Sequence, residues 1–139
     1  MELDQALTWA SERSNAVLIT LRRDGRAQSS DIAYAVQDGT FVISLTADRA
    51  KTRNMARDPR VVLHITEPSS WSYVSFDGTA ELTEPTTAPG DATADALVAY
   101  YEQVAGKPHP DWDEYRAAMV AEQRLLAVVT PTSVVGQIH

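Results

Sequence analysis

The sequence predicts a mainly β chain: a small antiparallel barrel of about seven short strands, with about four helices inserted among them. Three observations carry that reading. Runs of strand length, rich in β-branched and aromatic residues, recur through the first half of the chain and again near its end. Asp-Gly pairs at Asp24-Gly25, Asp38-Gly39 and Asp77-Gly78 punctuate them as hairpin turns do. There is no βαβ rhythm and no Gly-rich dinucleotide fingerprint, which sets a doubly wound nucleotide fold aside.

Leu3, Ala6, Leu7 and Ala10 repeat at helical spacing, so a first helix is expected from about Leu3 to Glu12. Ala16 to Arg22 is a strand, and the turn Arg23-Asp-Gly-Arg26 sends it back. Gln28 to Val36 is the returning strand, polar early and apolar late, and Asp38-Gly39 leads into a third strand from Thr40 to Thr46. The expectation here is a three-stranded antiparallel meander. Ala50 to Arg57 suits a short helix followed by Pro59, and Val61 to Thr66 a further strand. Trp71 to Phe76 alternates aromatic and small residues, which places Trp71 and Tyr73 on one face. Asp77-Gly78 interrupts this strand and Thr79 to Leu82 continues it. After the loop Thr83 to Asp91, a third helix carries Ala94, Leu97, Val98 and Tyr101 and ends at Gly106 and Pro108. A fourth spans Asp111 to Glu122, and Leu125 to Val129 and Val134 to Ile138 close the chain as two strands. With no repeat, linker or low-complexity tract, residues 1–139 are read as a single domain.

Nineteen acidic and 12 basic residues give a net charge of −7, a poor balance for binding nucleic acid or an anionic membrane. The absence of cysteine removes disulfides, thiolate catalysis and cysteine-ligated metals. No apolar run approaches the roughly 20 residues of a membrane span. The acidic start Met1-Glu-Leu-Asp4 is unlike a secretory signal, so a cytoplasmic protein is expected.

Against that acidic background the basic residues are clustered. Arg49, Lys51, Arg53, Arg57 and Arg60 fall where an apolar strand gives way to the short helix. A strand feeding a helix start, with Arg and Lys at the turn, can hold an anion through free N–H groups, the helix dipole and charge-assisted bonds. A solvated helix face is the alternative. A positive patch on a negative chain tips the balance toward a small, multiply charged ligand.

Other chemistry is sparse. There is no Gly-x-Ser-x-Gly elbow, no Walker-type phosphate loop and no pair of metal-ligand histidines, so no metal site is assigned. His64, His109 and His139 are scattered, and His64 reads as a packed or rim residue of its strand. A chain with an anion site but no catalytic kit points to a bound cofactor that carries the reactivity.

The block Ser44-Leu-Thr-Ala-Asp-Arg-Ala-Lys-Thr-Arg-Asn54, then Asp58-Pro-Arg60, Trp71-Ser-Tyr73 and Asp77-Gly-Thr-Ala80, resembles the pyridoxamine-phosphate-oxidase-like split barrels. More closely it resembles their branch of deazaflavin (coenzyme F420)-dependent reductases. The likeness runs on through Asp111 to Met119 and Pro131 to Gly136. It implies an FMN-binding-like split barrel, a homodimer with cofactor sites at the subunit interface, and hydride transfer from reduced coenzyme F420 to a small conjugated acceptor.

By the same resemblance, Arg49, Lys51 and Arg53 would hold the phosphate and acidic tail. Gln28, Ser29 and Asp31 match positions that contact the ring, Ser44 would join them, and Trp71 and Tyr73 would wall the pocket. Tyr73 or solvent would supply the proton. The chain departs from the usual pattern in having Ala27 where many relatives have Pro, and Asp31 where they have Asn. An FMN enzyme of the same fold and a deazaflavin-binding protein without turnover are the alternatives. A true pyridoxamine-phosphate oxidase would need a second basic cluster, and Arg124 and His139 are too isolated to form one. Leu7, Trp9 and Val135 are expected near the dimer contact.

Overall fold

The computed structural model describes every residue from Met1 to His139. Helix α1 (Leu3–Ser11) leads into strands β1 (Asn15–Leu21), β2 (Ala27–Ala33), β3 (Ala35–Gln37) and β4 (Thr40–Thr46). Helix α2 (Ala50–Arg57) follows, then β5 (Arg60–Glu67), a 3₁₀ turn (Pro68–Ser70) and β6 (Ser72–Leu82). Helices α3 (Ala92–Ala105) and α4 (Trp112–Ala121) precede the last strand, β7 (Arg124–Gln137).

The seven strands pair antiparallel in the order β2-β1-β5-β6-β7-β4-β3. The two outermost strands, β2 and β3, are consecutive in the chain and separated by Tyr34 alone. A sheet whose two ends are tied by one residue has to roll up, and the mainly β half-barrel follows from that connection.

That connection corrects the expected meander. The returning strand is two strands: β2 pairs with β1 at one end of the sheet and β3 with β4 at the other. Tyr34 makes the break. It is 1% exposed, its hydroxyl donates to Ala10 O at 2.7 Å, and its N–H donates to Ser14 O at 2.8 Å. With its ring edge-on to Phe41 at 5.3 Å, it anchors the chain where it leaves one edge for the other. The closing pair of strands is likewise corrected to a single strand, β7. Pro131 reads as a breaker, but it sits at a bulge, where the β6–β7 register shifts between Asp77 and Gly78. Thr132 is the extra residue there, and its hydroxyl donates to Asp77 O at 3.2 Å. Gly78 is required: a Cβ would meet Val129 Cγ1 at 2.8 Å.

The inside of the roll is the core, with Leu18, Phe41, Ile43, Leu63, Val74 and Phe76 all at most 1% exposed. Helix α1 adds Ala6, Trp9 and Ala10, and α2 adds Met55. On the outer face of β4 and β7, Val42 and Leu126 pack beneath α3 and α4 with Leu97, Tyr115 and Met119. Helix α3 starts at an Asp91 cap that accepts from Ala94 N–H, and it ends at Gly106 (φ 73°). Asp111 caps α4 by accepting from Glu114 N–H. No helix of the chain is long and apolar enough to cross a membrane.

Candidate functional site

Helix α2 is fastened to the barrel by its buried side. Thr52 donates its hydroxyl to Thr46 O at 2.8 Å. Asn54, 6% exposed, donates to Thr20 Oγ1 at 3.1 Å and to Gln28 Oε1 at 3.0 Å, and its own oxygen accepts from Arg57 at 3.0 Å. This leaves Arg49, Lys51 and Arg53 at the start and on the outer side of the helix. At its N-cap, Arg49 supplies no side-chain hydrogen bond, unlike the Asp caps of α3 and α4.

The five basic residues of this segment divide cleanly. Arg57 donates to Leu21 O at 2.8 Å, and Arg60 pairs with Asp58 at 2.8 Å, holding that carboxyl down at about 2. Arg49, Lys51 and Arg53 take part in none of the six ion pairs of the molecule.

Two clefts flank the start of α2. One, of about 430 Å³, is lined by Ser44, Thr46, Arg49, Lys51, Glu122 and Arg124 among others. The other, of about 310 Å³, is lined by Gln28, Ser30, Asp31, Arg49, Ala50 and Lys51. Arg49 and Lys51 therefore belong to both. Burial, above all, pulls the Lys51 ammonium below the usual lysine range, and the charges of Arg49 and Arg124 add to this while Asp31 opposes it. Arg124 heads β7, in register with Thr46, and reaches Ser44 Oγ at 3.4 Å. Asp48, exposed at the same turn, is held below the usual range chiefly by the Thr46 hydroxyl, which donates to it at 2.8 Å.

Of the residues singled out in the sequence, Gln28, Asp31, Ser44, Arg49 and Lys51 line these two clefts. Arg53 lies on the exposed side of α2, in neither. Ser29 alternates away from Gln28 and Ser30 and is exposed on the opposite face of β2. Tyr73 is 38% exposed on β6, its ring 5.8 Å from that of His64. Trp71 precedes that strand in a left-handed conformation (φ 57°), so the two-residue period does not extend to it, and it is 81% exposed.

A third cleft, of about 450 Å³, lies on the outer face of β2, β1 and β5 and is lined by Val17, Asp31, His64 and Thr66 among others. His64 is thus a half-buried rim residue, and Asp31 stands at the border of two clefts. Among the residues expected at a dimer contact, Trp9 is a core residue beneath Arg13, whose guanidinium carbon sits 3.7 Å from its ring centroid. Leu7 packs against the core, and Val135 is 67% exposed.

Sequence reasoning missed Ser30, Glu122 and Arg124. The alternation of β2 alone signals Ser30, which shares a face with Gln28. Nothing local signals Arg124: only the pairing of β7 with β4 brings it to Ser44, 80 residues away.

A family profile described as pyridoxamine 5'-phosphate oxidase matches residues 3–135. Solved structures share the fold. The conserved hypothetical protein Rv2991 of Mycobacterium tuberculosis aligns over 98% of this chain and 84% of its own, with TM-score 0.77 and 21% identity. A protein named F420 reductase aligns over 91% and 94%, with TM-score 0.66 and 23% identity. A heme-binding protein of Mycobacterium smegmatis aligns over 97% of this chain but 53% of its own length, with TM-score 0.71 and 23% identity.

Proposed function

The chain belongs to the pyridoxamine 5'-phosphate oxidase family, and from that premise we propose an oxidoreductase that binds reduced coenzyme F420 and passes a hydride to a small conjugated organic acceptor. The observation that carries the proposal is the set of cations without counter-ions. On a chain with 19 acidic residues, Arg49, Lys51 and Arg53 pair with none, and the first two converge on clefts. Side chains of that donor type suit phosphate and carboxylate.

When bound, the reduced deazaflavin supplies the hydride. The chain's own residues bind and orient. Arg49 and Lys51 hold the anionic tail, with Ser44 as a neutral partner at the cleft wall. Gln28 is held in place by Asn54, so the polar strand β2 presents a fixed surface beside the cations. Asp31, at the border of two clefts, would set a carboxylate against the ring. Tyr73 or solvent returns a proton to the acceptor.

A second copy of the chain completes the site. Helices α3 and α4 cover the outer face of β4 and β7. The outer face of β2, β1, β5 and β6 carries half-buried Val17, Ile19, Val62 and His64, with Val135 exposed beside them on β7. Pairing through that face covers these residues and brings Trp71 and Tyr73 of one copy toward the clefts of the other.

The test is a separate titration of the purified protein with coenzyme F420 and with FMN, following cofactor fluorescence and tryptophan quenching. Tighter binding of coenzyme F420, and turnover with a conjugated acceptor, is expected. Purification as a yellow protein with stoichiometric FMN makes it an FMN enzyme instead. Tight binding of coenzyme F420 with no oxidation by any acceptor makes it a binding protein.

A further inference from the structure

Arg124 is the one cation of the larger cleft that already has a partner, and the partnership is a poor one. Its Nε and Nη2 both donate to the same oxygen of Glu122, Oε1, at 3.2 and 3.0 Å. That is not the parallel fork in which each nitrogen meets its own oxygen. Its third nitrogen, Nη1, reaches only Ser44 Oγ, at 3.4 Å. The two side chains are 30% and 44% exposed, a setting in which an ion pair contributes little. The base of Arg124 is nevertheless fixed. Gln123, left-handed at φ 53°, accepts from Ala47 N–H at 3.1 Å, and the Arg124 backbone is in register with Thr46. An anchored arginine with a loosely held head therefore faces Arg49 and Lys51 across about 430 Å³ of open space.

We propose that Arg124 is the third cation of this cleft and that Glu122 is its built-in competitor: a phosphate-type oxyanion entering between Ser44, Arg49 and Lys51 takes Arg124 away from Glu122. The proposal rests on the anion-binding reading above and goes further. It assigns a residue from the far end of the chain to the site and makes Glu122 a resident stand-in for the ligand. Three cations approaching from β7, the α2 N-cap and the first turn of α2 suit a tetrahedral oxyanion, whose oxygens point in different directions. Burial, and after it the charges of Arg49 and Arg124, lowers the affinity of Lys51 for its proton, with Asp31 opposing.

Binding of inorganic phosphate, measured calorimetrically on the full chain, tests this, with circular dichroism and a melting curve on each variant to check folding. Arg124→Gln is expected to weaken phosphate binding at least about 10-fold. Glu122→Gln, by removing the competitor, is expected to tighten it about 1.5- to 5-fold. A Glu122→Gln variant that weakens phosphate binding, or leaves it unchanged, overturns the exchange. So does a folded Arg124→Gln variant that binds like the parent. Lys51→Ala separates the two levels. If it abolishes binding while Arg124→Gln does not, the cleft remains an anion site without Arg124. If neither matters, the anion-site reading falls with the proposal. Competitive displacement of phosphate by coenzyme F420 is expected, because the cofactor's own phosphate takes this place. Simultaneous, additive binding of both would put the phosphate elsewhere and overturn the assignment.

Discussion

Lys51→Ala tests the cleft most directly, because Lys51 borders both cavities beside α2 and has no protein partner to reorganise. A charge-assisted hydrogen bond contributes about 1.5–3 kcal/mol, so the Kd for coenzyme F420 should rise by about 10- to 150-fold. Arg49→Ala belongs at the lower end of that range, since Arg49 is exposed where Lys51 is half-buried. Arg53 faces solvent outside both clefts, and an exposed contact of about 0.2–1 kcal/mol corresponds to only about 1.5- to 5-fold. The structure thus ranks three residues that the sequence groups together. Affinity should also fall as salt rises, being screened over about 8–10 Å. At saturating cofactor the hydride step should change little, because contacts with the tail are equal in ground and transition states. The assay is a fluorescence titration at low and high salt for the three variants, with exposed Lys107→Ala as control, followed by single-turnover rates at saturation. Equal effects at Arg53 and Lys51 would mean that general charge, not the clefts, attracts the ligand. No effect at Lys51 would reduce the basic turn to a solvated helix face.

Asn54→Ala removes three hydrogen bonds at a buried junction and leaves the fully buried Thr20 hydroxyl short of a partner. A loss of about 2–4 kcal/mol is expected in denaturant unfolding, together with weaker cofactor binding because α2 and Gln28 lose their tie. In acid, the carboxyls of Asp58, paired with Arg60, and Asp91, held by the N–H groups of Ala94 and Thr87, are both depressed to about 2. A folded pKa below the unfolded value means stability that is present above about pH 4 and lost as pH falls toward 2. Asp91→Asn should flatten that decline in an acid titration followed by circular dichroism. An unchanged slope would show that the cap does not govern it. Light scattering should give about twice the 15.2 kDa chain mass, and a monomer that still binds cofactor tightly would refute pairing through the outer face.

Local patterns were enough for most elements. The expected bounds of α2 agree with Ala50–Arg57, because an abrupt change from apolar to basic composition marks its start and Pro59 its end. Asp-Gly pairs located the hairpins at residues 24–25 and 38–39, whereas the interruption expected at Asp77-Gly78 is absent, since β6 runs unbroken through both residues. What failed was pairing at a distance. Gln28 to Val36 reads as one strand because the pattern along the chain cannot say that its two halves join opposite ends of a sheet. That is decided by Tyr34 finding Ala10 O, Ser14 O and Phe41 in three other parts of the fold. The expected gap between Val129 and Val134 is instead continuous strand, because a bulge in β7 itself, with Thr132 as the extra residue, accommodates Pro131 without breaking the pairing to β6. The site divided in the same way. Arg49 and Lys51 were legible as a cluster within a few residues, while Arg124 was invisible to any window of that size. Trp71 was misplaced because a strand period was extended one residue into a turn.

The arrangement at α2 is also hard to explain as a byproduct of solubility. Like charges in a shared cleft repel, and they lower the Lys51 pKa further below the usual lysine range, after burial, which is the larger cause. A helix selected only to be solvated would let its cations spread outward or pair with some of 19 acidic residues, as Arg60 does with Asp58. Here the opposite side of the same helix prevents it. Met55 is 2% exposed in the core, a burial that contributes about 1.5–3 kcal/mol. Thr52 and Asn54 add hydrogen bonds to β4, β1 and β2. Those contacts fix the rotation and axial position of an eight-residue helix, and with them the direction in which Arg49 and Lys51 leave the backbone. Hydrophobic burial and buried hydrogen bonds thus hold Arg49 and Lys51, neither in an ion pair, at the start of α2, where on the proposed reading an anion entering between Lys51 and Arg124 would relieve a repulsion that the fold otherwise sustains.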